Sequence, residues 1–162
     1  MASKKAPASK KAPASPDAIK LLVTDHDTVR ELLAQFEKAT GARREKLRAR
    51  IEKELQVHTQ IEEEIFYPAY REAAKKKDDQ QMYYEALHEH HVVDLMLPEM
   101  AEGENNEDLK AKAKVLKELV EHHADEEESD MFPRAKKLFD RQELKALGEQ
   151  LRLRKETLMA AR

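Results

Sequence analysis

One pattern occurs twice in this sequence and restricts the fold more than any other feature. A histidine is followed four residues later by a glutamate and ten residues later by a proline, first at His58, Glu62 and Pro68 and again at His123, Glu127 and Pro133. Residues four apart lie on the same face of an α-helix, so each copy directs one imidazole and one carboxylate to the same side. The sequence therefore predicts two helices that each present a pair of potential metal ligands.

The residues around both pairs are apolar. At helical spacing, Ile51, Leu55 and Ile65 flank the first pair, and a similar series flanks the second: Leu116, Leu119, Val120 and Met131. The imidazoles and carboxylates are thus predicted to lie in the core rather than on the solvent-exposed face of each helix. Burying a carboxylate among leucine and isoleucine costs several kcal/mol unless a partner compensates. We expect that partner to be a bound cation.

Two further histidines interrupt apolar stripes on two other predicted helices. Around His26, the positions at helical spacing are Ile19, Leu22, Val29, Leu33 and Phe36. The same offsets from His90 give Tyr83, Ala86, Val93, Leu97 and Met100, whereas the offsets from His91 include Asp94 and Pro98. His90 is therefore predicted to face inward, and the remaining histidines are predicted to lie mainly on the surface: His88, His91 and His122.

The spacing of the four inward histidines indicates an internal repeat. His26 and His58 are 32 residues apart, and His90 and His123 are 33 residues apart. Short connections favour antiparallel neighbours. The prediction is an all-α fold: an antiparallel up-down-up-down four-helix bundle with an internal two-fold repeat, followed by an amphipathic C-terminal helix. The predicted boundaries are 1–15 for a tail, 16–139 for the bundle and 140–162 for the last helix, which packs on the bundle or forms an oligomer contact.

Residues 1–15 form a lysine-rich tail built on a repeated hexapeptide, Ala-Ser-Lys-Lys-Ala-Pro. The tail is predicted to be disordered because it has no apolar content to fold around. A nucleic-acid contact is conceivable only there and is not predicted for the rest of the chain. No apolar segment resembles a signal peptide or a membrane span, so no membrane contact and a cytoplasmic location are predicted.

The available ligand types restrict the metal. The chain has no cysteine, which excludes thiolate sites and leaves histidine, aspartate and glutamate, ligands suited to iron, manganese or zinc. Six donors exceed what one tetrahedral zinc needs, and two glutamates can bridge a pair of metals about 3.5–4 Å apart. Two six-coordinate ions need more than six donors, so at least one position is open to a small molecule. The predicted ligands are His26, His58, Glu62, His90, His123 and Glu127.

Four segments in order resemble the hemerythrin family, specifically the bacterial hemerythrin-like HHE cation-binding domains. They are Asp25–Arg30, His58–Glu62 with Phe66–Pro68, Glu89–Val93, and Glu121–Glu128 with Met131–Pro133. The resemblance covers about Asp17 to Lys137 and implies a four-helix bundle that holds two Fe ions as an oxo- or hydroxo-bridged di-iron centre. The ferritin-type di-iron bundle fits less well, because its Glu-x-x-His motif occurs only at Glu85 and His88.

The sequence departs from oxygen-carrying hemerythrins at two positions. Those carriers have a fifth histidine four residues before the one that corresponds to His90, where this chain has Ala86. Their last carboxylate ligand lies five residues after its histidine, which corresponds to Glu128 in this chain rather than to Glu127. The sequence therefore does not decide whether Glu127 or Glu128 is the last carboxylate ligand. Tyr83 is predicted either to approach the position of the missing histidine or to pack, and Tyr67 and Phe132 are predicted to pack. Other carboxylates are predicted to be solvated or to bond the imidazoles: Glu63, Glu64, Glu126 and Glu128.

Three classes of function remain compatible with the sequence. The favoured one is a non-haem di-iron protein that binds a small diatomic ligand, dioxygen or nitric oxide, or iron itself, for sensing, storage or protection. The alternative is a di-iron enzyme that reduces peroxide or nitric oxide with a redox partner. The third class is a structural protein in which the metal only stabilises the bundle. Binding is favoured because the chain has no nucleotide-binding motif and no acid–base pair outside the predicted ligands.

Overall fold

The structure is a computed structural model that describes residues 16–161, and the predicted basic tail 1–15 lies outside them. The prediction of an all-helical chain is confirmed, because residues 16–161 contain helices and no β-strand. None of these helices is both long and apolar enough to cross a membrane. The helices are α1 (Ala18–Lys38), α2 (Gly41–Ile61), α3 (Tyr67–Ala73), α4 (Lys77–Glu99), α5 (Asn106–Glu126), α6 (Phe132–Leu138) and α7 (Arg141–Ala160).

Side-chain caps begin three of the long helices. Asp17 is the N-cap of α1 and accepts a hydrogen bond from the Lys20 amide at 2.9 Å, so the helix starts at Ala18. Asn105 caps α5, and Asp140 forms a reciprocal capping box with Glu143 at the start of α7. Each cap satisfies amide donors that have no partner inside the helix.

Two π-helical turns interrupt the helices that carry the duplicated motif. The turns Glu62–Phe66 and Glu127–Met131 join α2 to α3 and α5 to α6 without a break. Each turn starts at the glutamate of the motif and ends two residues before Pro68 or Pro133. Proline has no amide hydrogen and crowds the carbonyl four residues earlier, so a wider turn lets the helix continue through it. Each of these helices therefore continues through its proline, with a widened turn just before it.

Two apolar clusters lie on either side of the level of His26. Along α1, the segment 18–22 belongs to the first cluster and Val29, Leu32, Leu33 and Phe36 belong to the second. The first cluster also contains the aromatic residues at the end of the first π turn and just after both turns: Phe66, Tyr67, Tyr70 and Phe132. The polar residues between the clusters are consequently shielded from solvent by apolar side chains on both sides.

The last helix, α7, packs along α1 and α2. Leu151 is fully buried in this contact, and Gly148 lies so close to α1 that a Cβ atom there would stand 2.4 Å from the Pro16 carbonyl oxygen. Only glycine permits such an approach between two backbones. α7 thus contacts the helices that carry His26 and His58.

Candidate metal centre

All six predicted ligand residues lie together in the core. They come from four different helices, and each is at most 5% exposed to solvent. α1 carries His26, α2 carries His58, α4 carries His90 and α5 carries His123, while the two glutamates begin the π turns. The structure brings these residues into one cluster, and their role as ligands stays a prediction.

The two glutamates lie between the imidazoles of the two sequence halves. The Glu62 Oε2 atom is 3.2 Å from the His58 Nε2 atom and 3.3 Å from the His90 Nε2 atom. The Glu127 Oε2 atom is 3.2 Å from His26 Nε2 and 3.6 Å from His123 Nε2. Each carboxylate therefore faces one imidazole from each half, as a bridging ligand would.

The ligand atoms form two groups that could each hold a cation. His26, His58, Glu62 and Glu127 make the first position, and Glu62, His90 and His123 make the second, with the candidate atoms of each group within 4.8 Å of one another. Glu62 belongs to both groups. The first position thus has four protein donors and the second has three.

Every imidazole turns its outer nitrogen towards a second carboxylate. The Nδ1 atoms of three histidines lie at hydrogen-bond distance from a glutamate: His26 from Glu128 (2.8 Å), His90 from Glu63 (2.9 Å) and His123 from Glu89 (2.7 Å). The fourth, His58, faces Asp25 at 3.7 Å. A carboxylate behind an imidazole fixes its tautomer and directs the other nitrogen at the metal. All four inner nitrogens are accordingly oriented as metal ligands.

Several buried nitrogen and oxygen atoms of the cluster have no hydrogen-bond partner, as expected of atoms that bind a cation. Within residues 16–161, the inward atoms His26 Nε2, His58 Nε2 and Glu127 Oε2 and both carboxylate oxygens of Glu62 are buried without a hydrogen-bond partner. Buried polar atoms without a partner are rare because each costs free energy. Imidazole nitrogen and carboxylate oxygen are ligands of iron, manganese and zinc. A pair of such cations would satisfy all of these atoms at once, so the residues fit the predicted metals.

The proton affinities in the cluster are strongly perturbed. Burial lowers the pKa of His58 to about 4, so this imidazole is neutral near pH 7. Burial raises the pKa of Glu62, and the Glu127 carboxylate raises it further. Burial acts in the same direction on Glu127, but His123 and His26 outweigh it and hold the pKa of that carboxyl below its usual range. Binding of cations would displace the protons that these groups share, because metal ligands must be deprotonated.

Tyr67 contacts the cluster of predicted ligands, a contact that the sequence did not predict. Its hydroxyl donates a hydrogen bond to Glu127 Oε1 at 2.7 Å and lies 3.2 Å from the His90 Nε2 atom, and the side chain is fully buried. Burial and the Glu127 carboxylate hold the pKa of Tyr67 well above its usual value, so the hydroxyl keeps its proton. Tyr67 packs in the core as predicted, and its hydroxyl in addition bonds a predicted ligand.

The π turn explains how Tyr67 reaches the cluster. Tyr67 follows Glu62 by five residues, and only a widened turn brings residues five apart to nearly the same face. Phe132 occupies the same place after Glu127, where its ring stacks on His26 with centroids 5.8 Å apart. Phe132 packs as predicted. A proline six residues after an inward glutamate is the sequence signal for this geometry.

The structure also distinguishes the positions that the sequence left open. Glu127 points inward, whereas Glu128 turns outward to His26 and Arg30. Tyr83 packs edge-on against the ring of Tyr67 at 6.2 Å. The three histidines predicted to lie on the surface, His88, His91 and His122, are exposed.

Tyr67→Phe should weaken metal retention, because Glu127 loses the hydrogen bond that orients its carboxylate. We expect release of metal to a chelator to become about 10-fold faster, the size typical for residues that orient metal ligands. Tyr70→Phe is the matched control, since it removes the same atom from a buried phenol whose partner, Asp79, lies outside the cluster. Equal release rates in the two variants would contradict the role assigned to Tyr67.

A small cavity adjoins the four imidazoles. Its volume is 20 Å³, enough for one water molecule. Apart from the histidines, the lining residues are Val29, Leu55, Thr59, Val93, Val120 and Ala124. The Thr59 hydroxyl donates its proton to the Gln56 carbonyl of its own helix, so the lining side chains other than Thr59 and the imidazoles are apolar.

Comparisons with known proteins identify the kind of domain. A family model described as the hemerythrin HHE cation binding domain matches residues 17–135. The matched segment contains all six predicted ligands together with Tyr67, and it ends before α7 begins. Searches of curated proteins and of solved structures found no significant match.

Proposed function

Because the chain belongs to the hemerythrin HHE cation-binding family, we propose that it holds two iron ions and binds a small diatomic molecule, dioxygen or nitric oxide. Cation binding is the property of the family, and the buried histidines and glutamates are suited to it. The identity of the metal, the diatomic ligand and a role in sensing, storage or protection are our proposals.

His26, His58, Glu62 and Glu127 would hold one ion, and His90 and His123 would hold the other with Glu62 shared. Such an iron pair supplies a Lewis-acidic, redox-active centre at which a small molecule can bind. The protein residues perform the remaining tasks. The outer carboxylates orient the imidazoles, Tyr67 orients Glu127, and the apolar side chains on both sides of the cluster exclude water.

The apolar cavity beside the imidazoles is the observation that carries this proposal. A neutral diatomic molecule loses little hydration on entering such a space, whereas an ion or a polar substrate would leave its polar groups without partners. Reduction of peroxide or nitric oxide also consumes protons, and the cavity wall has no carboxyl group to deliver them. Binding is therefore favoured over catalysis.

We further propose that α1, α2, α4 and α5 form the predicted antiparallel up-down-up-down bundle with two related halves. The contacts of α1 with α2 and α5, and of α4 with α5, support this arrangement. A cytoplasmic location and a redox partner that keeps the iron reduced belong to the same proposal.

Metal analysis of the purified protein with ultraviolet–visible spectra tests the proposal. We expect two irons per chain and absorption bands that change reversibly when the reduced protein meets dioxygen or nitric oxide. Two irons with turnover of peroxide or nitric oxide would instead support the enzyme. One zinc ion, or no metal, would contradict the proposal and leave a structural role.

A further inference from the structure

The C-terminal helix reaches the metal centre although it lies outside the segment that matches the family. The Lys155 ammonium of α7 is 2.6 Å from the Asp25 Oδ1 atom and 3.8 Å from Glu54 Oε2. Asp25 is 5% exposed, so its carboxylate is buried next to this cation. A buried carboxylate is strongly destabilising without a charged or hydrogen-bonding partner. Lys155 is therefore what allows a carboxylate to occupy this place.

Asp25 stands directly behind a predicted metal ligand. Its other oxygen, Oδ2, faces the His58 Nδ1 atom at 3.7 Å, and neither atom has a hydrogen-bond partner within residues 16–161. The three other imidazoles bond their outer carboxylates directly, at 2.7–2.9 Å. Asp25 thus occupies the position of the fourth outer carboxylate, and Lys155 determines where it sits.

We propose that Lys155 is a positioning residue of the metal centre, through which α7 holds the Asp25 carboxylate behind His58. The inference rests on the proposed metal binding and goes beyond it, because it makes the added helix part of the centre. Asp25 fixes the orientation of the His58 ring and increases its strength as a donor. Docking of α7 thereby strengthens metal binding at the first position.

Arg154 provides a matched control on the same helix. It forms a two-pronged ion pair with Glu64, at 2.6 and 2.9 Å, and so also ties α7 to the bundle. Glu64 is 39% exposed, and its other hydrogen bond comes from Gln60 rather than from a residue of the cluster. Arg154→Met removes a cation and a helix contact but leaves Asp25 and His58 unchanged.

The test measures iron release from the full-length protein. Wild-type protein, Lys155→Met, Lys155→Arg and Arg154→Met are loaded anaerobically with Fe²⁺ and mixed with an excess of a chromogenic chelator. We expect Lys155→Met to release one of its two irons about 10-fold faster than wild type, the usual size for a residue that supports a metal ligand. Lys155→Arg keeps the cation, so it and Arg154→Met should release both irons within about 2-fold of wild type.

A double-mutant cycle with Asp25→Asn separates positioning from general destabilisation. If Lys155 acts through Asp25, Lys155→Met should accelerate release no further in a protein that already carries Asp25→Asn, because the carboxylate that the lysine positions is gone. Equal acceleration by Lys155→Met and Arg154→Met, or additive effects of Lys155→Met and Asp25→Asn, would overturn the inference alone. A wild-type protein that retains no iron would overturn the proposed function as well.

Discussion

Replacing Glu62 with methionine should stabilise the metal-free protein and abolish its binding of paired metals. Glu62 has no solvent exposure, and both of its oxygens lack hydrogen-bond partners in the described part of the chain. In the metal-free state this carboxyl group costs free energy, and an unbranched apolar side chain of similar size removes that cost. We expect the free energy of unfolding to rise by about 1–4 kcal/mol, the range seen when buried ionic groups give way to apolar ones.

The same substitution should have the opposite effect on the metal-loaded protein. Glu62 faces both metal positions, so its loss removes a donor from each. Wild-type protein gains about 2.7 kcal/mol from a ligand present at 100 times its dissociation constant, whereas Glu62→Met should melt at the same temperature with and without iron.

Differential scanning calorimetry of both states, with metal analysis, checks this reversal. Glu126→Met is the control, because it makes the same change at a half-exposed carboxylate that lies outside the cluster. It should leave both melting temperatures near those of wild type. A Glu62→Met protein that is less stable without metal would show that the carboxyl group stabilises the core by itself.

Filling the cavity should separate ligand binding from metal binding. Ala124 lines the cavity and is 1% exposed, so the two methyl groups that Ala124→Val adds have to enter the free space or displace its walls. Overpacking of this kind costs about 1–3 kcal/mol. If this free energy is lost from binding of the diatomic molecule, the affinity of the protein for that molecule should fall roughly 5- to 150-fold. The iron content should stay at the wild-type value.

Ala113→Val is the matched control for this experiment. Ala113 lies on the same helix and is 3% exposed in the second apolar cluster, but it does not line the cavity. It should lower stability without changing the affinity for dioxygen or nitric oxide, measured by optical titration of the reduced protein. Unchanged affinity in Ala124→Val would place the ligand outside the cavity.

The amino-acid sequence determined the helical class and the residues that gather in the centre. Helical periodicity depends only on the order of side chains along one element. The apolar neighbours of His90 and His123 therefore indicated which histidine of each neighbourhood turns inward, and the exposed positions of His91 and His122 agree with the same phase. The four-residue spacing of the motif placed Glu62 and Glu127 beside their histidines for the same reason.

The tertiary structure decided which residues meet across helices, because such contacts depend on distances that no single helix encodes. Each outer carboxylate is next in sequence to one predicted ligand but contacts the imidazole of another. Asp25 adjoins His26 but faces His58, and Glu63 adjoins Glu62 but bonds His90. The π turns changed the helical phase after the glutamates, so Tyr67 entered the cluster. The position of Lys155 was fixed by the docking of α7, which depends on the close approach of Gly148 to α1 and not on any local pattern.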